Sequence, residues 1–205
     1  MTPAQINELI ARDIFADAYA EQREAPVEYK SKALAEGLER LLFTCPKCGT
    51  MHKMVSCGDR FRCSACGMET RFTPTGFFED GELPFNDVCT WNRWQDEQIE
   101  KHIASAGNGV IFSDGEIELE DIETAKRAKS LGTGAVTLYA DRLELPAGIT
   151  VPLGEIGGMA LQGAERLYLS TADGRHYLLR PKKRCCTVKY LTACGMLGAS
   201  VGTGV

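Results

Sequence analysis

The chain has 205 residues, with 23 Lys and Arg against 28 Asp and Glu, a formal net charge of −5, and 44% hydrophobic residues. That length suits one or two compact domains, and the acidic balance argues against a dedicated nucleic-acid-binding protein. The longest uncharged run of the apolar kind, Ser130 to Ala140, is too short to span a bilayer, and Glu8, Arg12 and Asp13 interrupt any secretory apolar region, so a cytoplasmic protein is expected.

Taken in chain order, Thr2-Pro3-Ala4-Gln5 is a helix start, with a capping threonine, a proline at the first helical position and a glutamine that can reach back. Ile6, Leu9, Ile10 and Ile14 follow at helical spacing, which predicts a helix to about Glu21. After the break at Arg23 to Val27, Ser31 opens a second helical pattern through Leu34, Leu38, Leu41 and Leu42. Thr73-Pro74-Thr75-Gly76 marks a turn, Phe77 and Phe78 a short strand, and Asn86 or Asp87 the cap of a helix through Ala104 that carries Val88, Trp91, Gln95 and Ile99 on one face.

From Gly109 the pattern becomes a series of short strands: Val110 to Ser113, Glu116 to Asp121, Ala135 to Tyr139, Arg142 to Leu145, Ile149 to Pro152, Gly158 to Leu161, Arg166 to Ser170 and His176 to Leu179. Asp114-Gly115 and Asp173-Gly174 read as hairpin turns, and Gly132-Thr133-Gly134 reads as a turn too. Helical spacing returns from Cys185 to Leu197. The fold class expected is α+β: N-terminal helices (1–40), a zinc ribbon with its following turn and strand (41–86), a linking helix (87–106), and a C-terminal antiparallel β sandwich or barrel capped by a helix (107–205).

The chemistry is concentrated in Cys45-Pro46-Lys47-Cys48-Gly49 and Cys63-Ser64-Ala65-Cys66-Gly67. Two residues between the cysteines of each pair let both sulfurs face one point, and the glycine after the second cysteine can take a positive φ. The 14 residues between the pairs suit a hairpin with Gly58-Asp59 near its tip. Cys45, Cys48, Cys63 and Cys66 are therefore the candidate ligands of a structural Zn²⁺ with no open position for water, iron or a redox dithiol being the alternatives. His52 and Cys57, lying between the pairs on a strand and at the hairpin tip, are rival ligands. Nine cysteines is an odd number, and a reducing compartment leaves Cys57, Cys89, Cys185, Cys186 and Cys194 as thiols.

Lys47, Lys53, Arg60, Arg62 and Arg71, interleaved with Phe61 and Phe72, could face a nucleic acid, or could offset the thiolate charge while the phenylalanines pack. Arg175, Arg180, Lys182, Lys183 and Arg184 are candidate contacts for an anion or a lipid surface, or else a solvated connection. His52, His102 and His176 stand in poor contexts for general-base work, and no P-loop, GxSxG or dinucleotide fingerprint is present, so no catalytic residue is assigned and the chain is not expected to be an enzyme as it stands.

The succession of Cys45-Pro46-Lys47-Cys48, Gly58-Asp59-Arg60, Cys63-Ser64-Ala65-Cys66-Gly67, Gly76-Phe77-Phe78 and Trp91-Asn92-Arg93-Trp94-Gln95 resembles the region downstream of the catalytic domain in bacterial lysophospholipid acyltransferase-like proteins, the 1-acylglycerol-3-phosphate acyltransferase family. The resemblance covers roughly residues 15 to 200 and implies a PH-like terminal module. It also implies an accessory or regulatory role in phospholipid synthesis, with an acyltransferase or an anionic lipid surface as partner and a peripheral membrane location. That family's catalytic His-x-x-x-x-Asp pair has no counterpart here, so the chain is expected to be a fragment or a free-standing tail. A nucleic-acid-binding ribbon and a protein-interaction scaffold remain the competing classes.

Overall fold

The computed structural model describes residues 2–14, 17–79, 83–124, 127–163 and 165–201, and it contains two antiparallel sheets, as an α+β chain should. The smaller sheet runs in the order β1 (Met54–Cys57), β2 (Arg60–Cys63), β3 (Glu69–Phe72) and β4 (Phe78–Glu79). The larger comprises β5 (Phe112–Thr124), β6 (Arg127–Leu138), β7 (Arg142–Leu145), β8 (Ile149–Pro152), β9 (Ile156–Gln162), β10 (Arg166–Thr171) and β11 (His176–Pro181). Its order is β8-β7-β6-β5-β11-β10-β9, so the first and last strands meet at the centre and the sheet curls into a half-barrel. The helices are α1 (Pro3–Ile14), α2 (Ala18–Glu24), α3 (Val88–Ala106) and α4 (Val188–Met196).

Period-two burial explains why these segments are strands. Leu143 and Leu145 on β7, Leu167 and Leu169 on β10, and Tyr177 and Leu179 on β11 all point into the half-barrel. Tyr190, Leu191 and Cys194 of α4 close its open side. On β2 the same alternation turns Phe61 and Cys63 inward and Arg60 and Arg62 outward. A second core forms there from Ala35, Leu42, Cys45, Met54, Phe61, Met68, Phe78 and Trp91.

Helix α3 joins the two cores. Asp87 caps it by accepting from the Thr90 amide at 2.7 Å. Trp91, Gln95 and Ile99 then fall on one buried stripe, Trp91 in the ribbon core and Ile99 in the half-barrel core. Phe43, which precedes the first cysteine, also belongs to the half-barrel core.

Several local expectations are corrected. The N-terminal helix is two helices, because the Asp17 carboxylate accepts from the Tyr19 and Ala20 amides and starts α2 afresh. The leucine pattern from Ser31 yields only a 3-10 turn at Leu38–Arg40, since Gly37 sits at φ 92 just before it. Asp114-Gly115 is not a hairpin turn. It lies within β5, where the register shifts between Asp114 and Ile117 and Glu116 takes φ 57. Gly132-Thr133-Gly134 lies within β6, beside another register shift. The Asp173-Gly174 turn joins β10 to β11 as expected, with Gly174 at φ 84.

Candidate metal centre

Two equivalent knuckles build the site. In the first, the Gly49 amide donates to the Cys45 carbonyl at 2.9 Å and the Cys45 amide to the Thr50 carbonyl at 3.1 Å. In the second, the Gly67 amide donates to the Cys63 carbonyl at 3.0 Å and the Cys63 amide to the Met68 carbonyl at 2.7 Å. Gly49 and Gly67 adopt φ 70 and 73, and a Cβ on either would meet nothing, so backbone conformation rather than space demands glycine there. The β1–β2 hairpin, in register from Met54↔Cys63 to Cys57↔Arg60, delivers the second knuckle to the first.

The sulfurs of Cys45, Cys48, Cys63 and Cys66 lie within 4.8 Å of one another, the group among the described residues that could hold a metal ion. Cys45 and Cys66 are 3.7 Å apart and Cys48 and Cys63 are 3.9 Å apart, each contact crossing between knuckles. These separations are far beyond a disulfide of about 2.05 Å. They match the edge of a tetrahedron with metal–sulfur bonds of about 2.3 Å, which is about 3.8 Å. Cys45 and Cys63 are buried, whereas Cys48 and Cys66 are exposed. Burial pushes the Cys45 thiol up to about 12, while hydrogen bonding to Thr50 draws Cys48 down to about 6. A cation bound among the four sulfurs would favour the thiolate form of each.

The rival ligands stand apart from this group. His52 is not on a strand but on a bend at φ 60, its ring stacked on Phe43 at 5.1 Å and 9°. Cys57 is exposed at the end of β1.

No family model matches this chain, and comparison with characterised proteins gives no match.

Around the ribbon, Phe61 is fully buried and packs on Phe78 and Trp91, so it cannot stack on a base. Arg71 pairs with Asp59 at 2.8 Å and Arg60 approaches Glu69 at 3.5 Å. The C-terminal cations are also engaged. Arg180 pairs with Glu120 at 3.1 Å, Lys183 with Glu116 at 2.5 Å, and Arg175 with Asp173 at 3.3 Å. Arg184 bridges to Glu39 at 3.1 Å and Glu36 at 3.4 Å, tying the sheet's exit to the ribbon's approach. No ion pair of Lys182 occurs among the described residues. In the same set, no helix is long and apolar enough to cross a membrane.

Sequence reasoning missed a buried polar cluster. The Lys189 ammonium, 1% exposed, lies 2.6 Å from the Asp114 carboxylate, which also accepts from the Tyr190 hydroxyl at 2.6 Å. Both His52 ring nitrogens are within 3.5 Å of that ammonium. Burial, then Lys189, lowers His52 to about 4. Only the adjacency of Lys189 and Tyr190 on a helix was visible beforehand, and adjacency does not distinguish a buried lysine from a solvated one.

Proposed function

We propose that Cys45, Cys48, Cys63 and Cys66 hold a structural zinc ion and that the chain is a non-catalytic accessory region of a bacterial phospholipid acyltransferase system. The two cross-knuckle sulfur separations, 3.7 and 3.9 Å, carry the first half, because they suit a closed tetrahedral set of thiolates. When bound there, zinc supplies cross-linking of the fold and leaves no coordination position for a reacting water. The ordering of helix, ribbon, tryptophan helix and helix-capped half-barrel supports the second half, since it agrees with the PH-like tail that the resemblance implies.

Such a region works by docking, either to an acyltransferase catalytic domain or to the lipid surface on which that enzyme acts. Burial of Phe61 favours docking over base stacking, so a nucleic-acid ribbon is the weaker reading. Two measurements test the proposal. Elemental analysis should find one zinc per chain. A bacterial 1-acylglycerol-3-phosphate acyltransferase catalytic domain supplied in trans should co-sediment with the chain, whereas a random duplex should not shift in a gel. A metal-free native protein would overturn the first half. Duplex binding without acyltransferase association would overturn the second.

A further inference from the structure

A cleft of about 510 Å³ opens between the ribbon's approach and one end of the half-barrel, lined by Arg40, Gln162, Glu165, Arg166 and Arg180 among others. Three guanidinium groups from three distant stretches of chain converge on it. Arg40 comes from the 3-10 turn before the first knuckle, Arg166 from the start of β10, and Arg180 from β11. Two carboxylates answer them only in part. Glu165 pairs with the Arg40 Nε at 2.5 Å, and Glu120 accepts from a terminal nitrogen of Arg180 at 3.1 Å.

The Nε–H of Arg180 is buried without a hydrogen-bond acceptor, whereas the Arg40 Nε faces the Glu165 carboxylate. Arg166 is exposed and has no ion-pair partner among the described residues. A guanidinium has more donors than one carboxylate can accept. The cleft thus has one surplus positive charge, with the exposed guanidinium of Arg166 and the terminal nitrogens of Arg180 to offer as donors, held on strand and turn positions.

From this we infer that the cleft is an anion-binding site for a phosphate group, with Arg166 and Arg180 as its principal donors and Arg40 as the third wall. Phosphate fits better than a single carboxylate because its oxygens can be shared among several guanidinium planes, the geometry for which arginine is preferred over lysine. The group could belong to a free phosphate or to the headgroup of an anionic lipid. The site does not depend on the acyltransferase reading, since a soluble anion alone can occupy it.

The test uses the full metal-loaded chain with inorganic phosphate, measured by isothermal titration, and in parallel with vesicles of phosphatidylcholine with and without phosphatidic acid. Binding to soluble phosphate identifies a free anion, and binding only to vesicles that contain phosphatidic acid identifies a headgroup. In either case Arg166→Ala, at an exposed position that leaves the core untouched, should weaken binding about tenfold, the loss of one charge-assisted contact. Arg175→Ala, on the β10–β11 turn outside the cleft, should leave it unchanged. Absence of binding in both arms overturns the site. So does binding that Arg166→Ala leaves intact, or that Arg175→Ala weakens equally, because a diffuse surface field would then be responsible.

Discussion

Lys189 on the capping helix and Asp114 on β5 form an ion pair of 2.6 Å inside the protein, with the lysine side chain 1% exposed. The pair sits where β5 breaks register, and the Tyr190 hydroxyl shares the same carboxylate. One carboxylate therefore fixes the helix on the half-barrel and, through His52 beside the ammonium, positions the ribbon's first loop against both.

Removing one partner of that pair strands the other in a poorly hydrated site. Lys189→Ala should cost about 3–5 kcal/mol in urea denaturation, the usual penalty for an uncompensated buried charge. The double variant Lys189→Met, Asp114→Asn should recover much of that loss, because it removes both charges. Equal destabilisation by the double and single variants would refute the pairing as the source.

His52 makes the fold sensitive to acid. An imidazole in the unfolded chain takes up a proton near pH 6.5, while the folded-state value is lowered to about 4. Between those values the unfolded state binds more protons, so stability is complete above about pH 6.5 and is lost as pH falls towards 4. His52 as a whole is exposed although its ring is packed on one face, so solvent screening holds the loss to about 1 kcal/mol. His52→Asn, which tolerates the φ of 60, should flatten the melting temperature across that window.

Gln95 is a buried clasp. Its side-chain oxygen accepts from the Phe43 and Thr44 amides at 2.7 and 3.0 Å, and its nitrogen donates to the Leu41 carbonyl at 2.9 Å. Gln95→Leu keeps the volume but leaves two amides unpaired, so a loss of about 2 kcal/mol or more is expected on chemical denaturation. Hydrogen exchange should rise first at Phe43 and Thr44.

Stripping the metal with a chelator should release residues 41–73. Protection from hydrogen exchange should fall there, while β6, β7 and β10 keep theirs. The loss should also reach α3 and the Phe43 pocket, because Trp91 donates to the Thr44 carbonyl at 3.1 Å and Phe43 lies in the half-barrel core. A melting profile indifferent to chelator would show that the four sulfurs bind nothing that matters to folding.

Thiol chemistry should separate the remaining cysteines. Burial pushes Cys186 and Cys194 up to about 12, whereas Cys57 is exposed. Brief alkylation near neutral pH should therefore label Cys57 and spare the other two, as mass spectrometry of the digested protein can establish.

The features legible in the sequence were those set by neighbours along the chain. The two CxxCG knuckles, the helix start at Asn86 or Asp87, the Trp91-Gln95-Ile99 stripe and the Asp173-Gly174 turn each depend on residues a few positions apart. Their backbone hydrogen bonds close locally, so composition and spacing are enough. Where the sequence misled, a distant contact had overridden a local preference. Asp114-Gly115 has the chemistry of a hairpin turn, yet Asp114 is held by Lys189 and Tyr190, and β5 absorbs the difference as a bulge. The leucines from Leu34 to Leu42 have helical spacing, yet the segment is drawn onto the ribbon hairpin, where the Ala35 amide donates to the Gly58 carbonyl at 2.9 Å.

By itself, then, the order of residues determined an α+β chain with four convergent cysteines, because local geometry restricts what each short motif can do. Only the tertiary structure decided that residues 52, 114 and 189 share one polar cluster around a buried ammonium, and that residues 40, 166 and 180 face one cleft. Side chains so far apart in sequence meet only after the sheet has curled and the helix has closed over it, and no spacing rule encodes that closure.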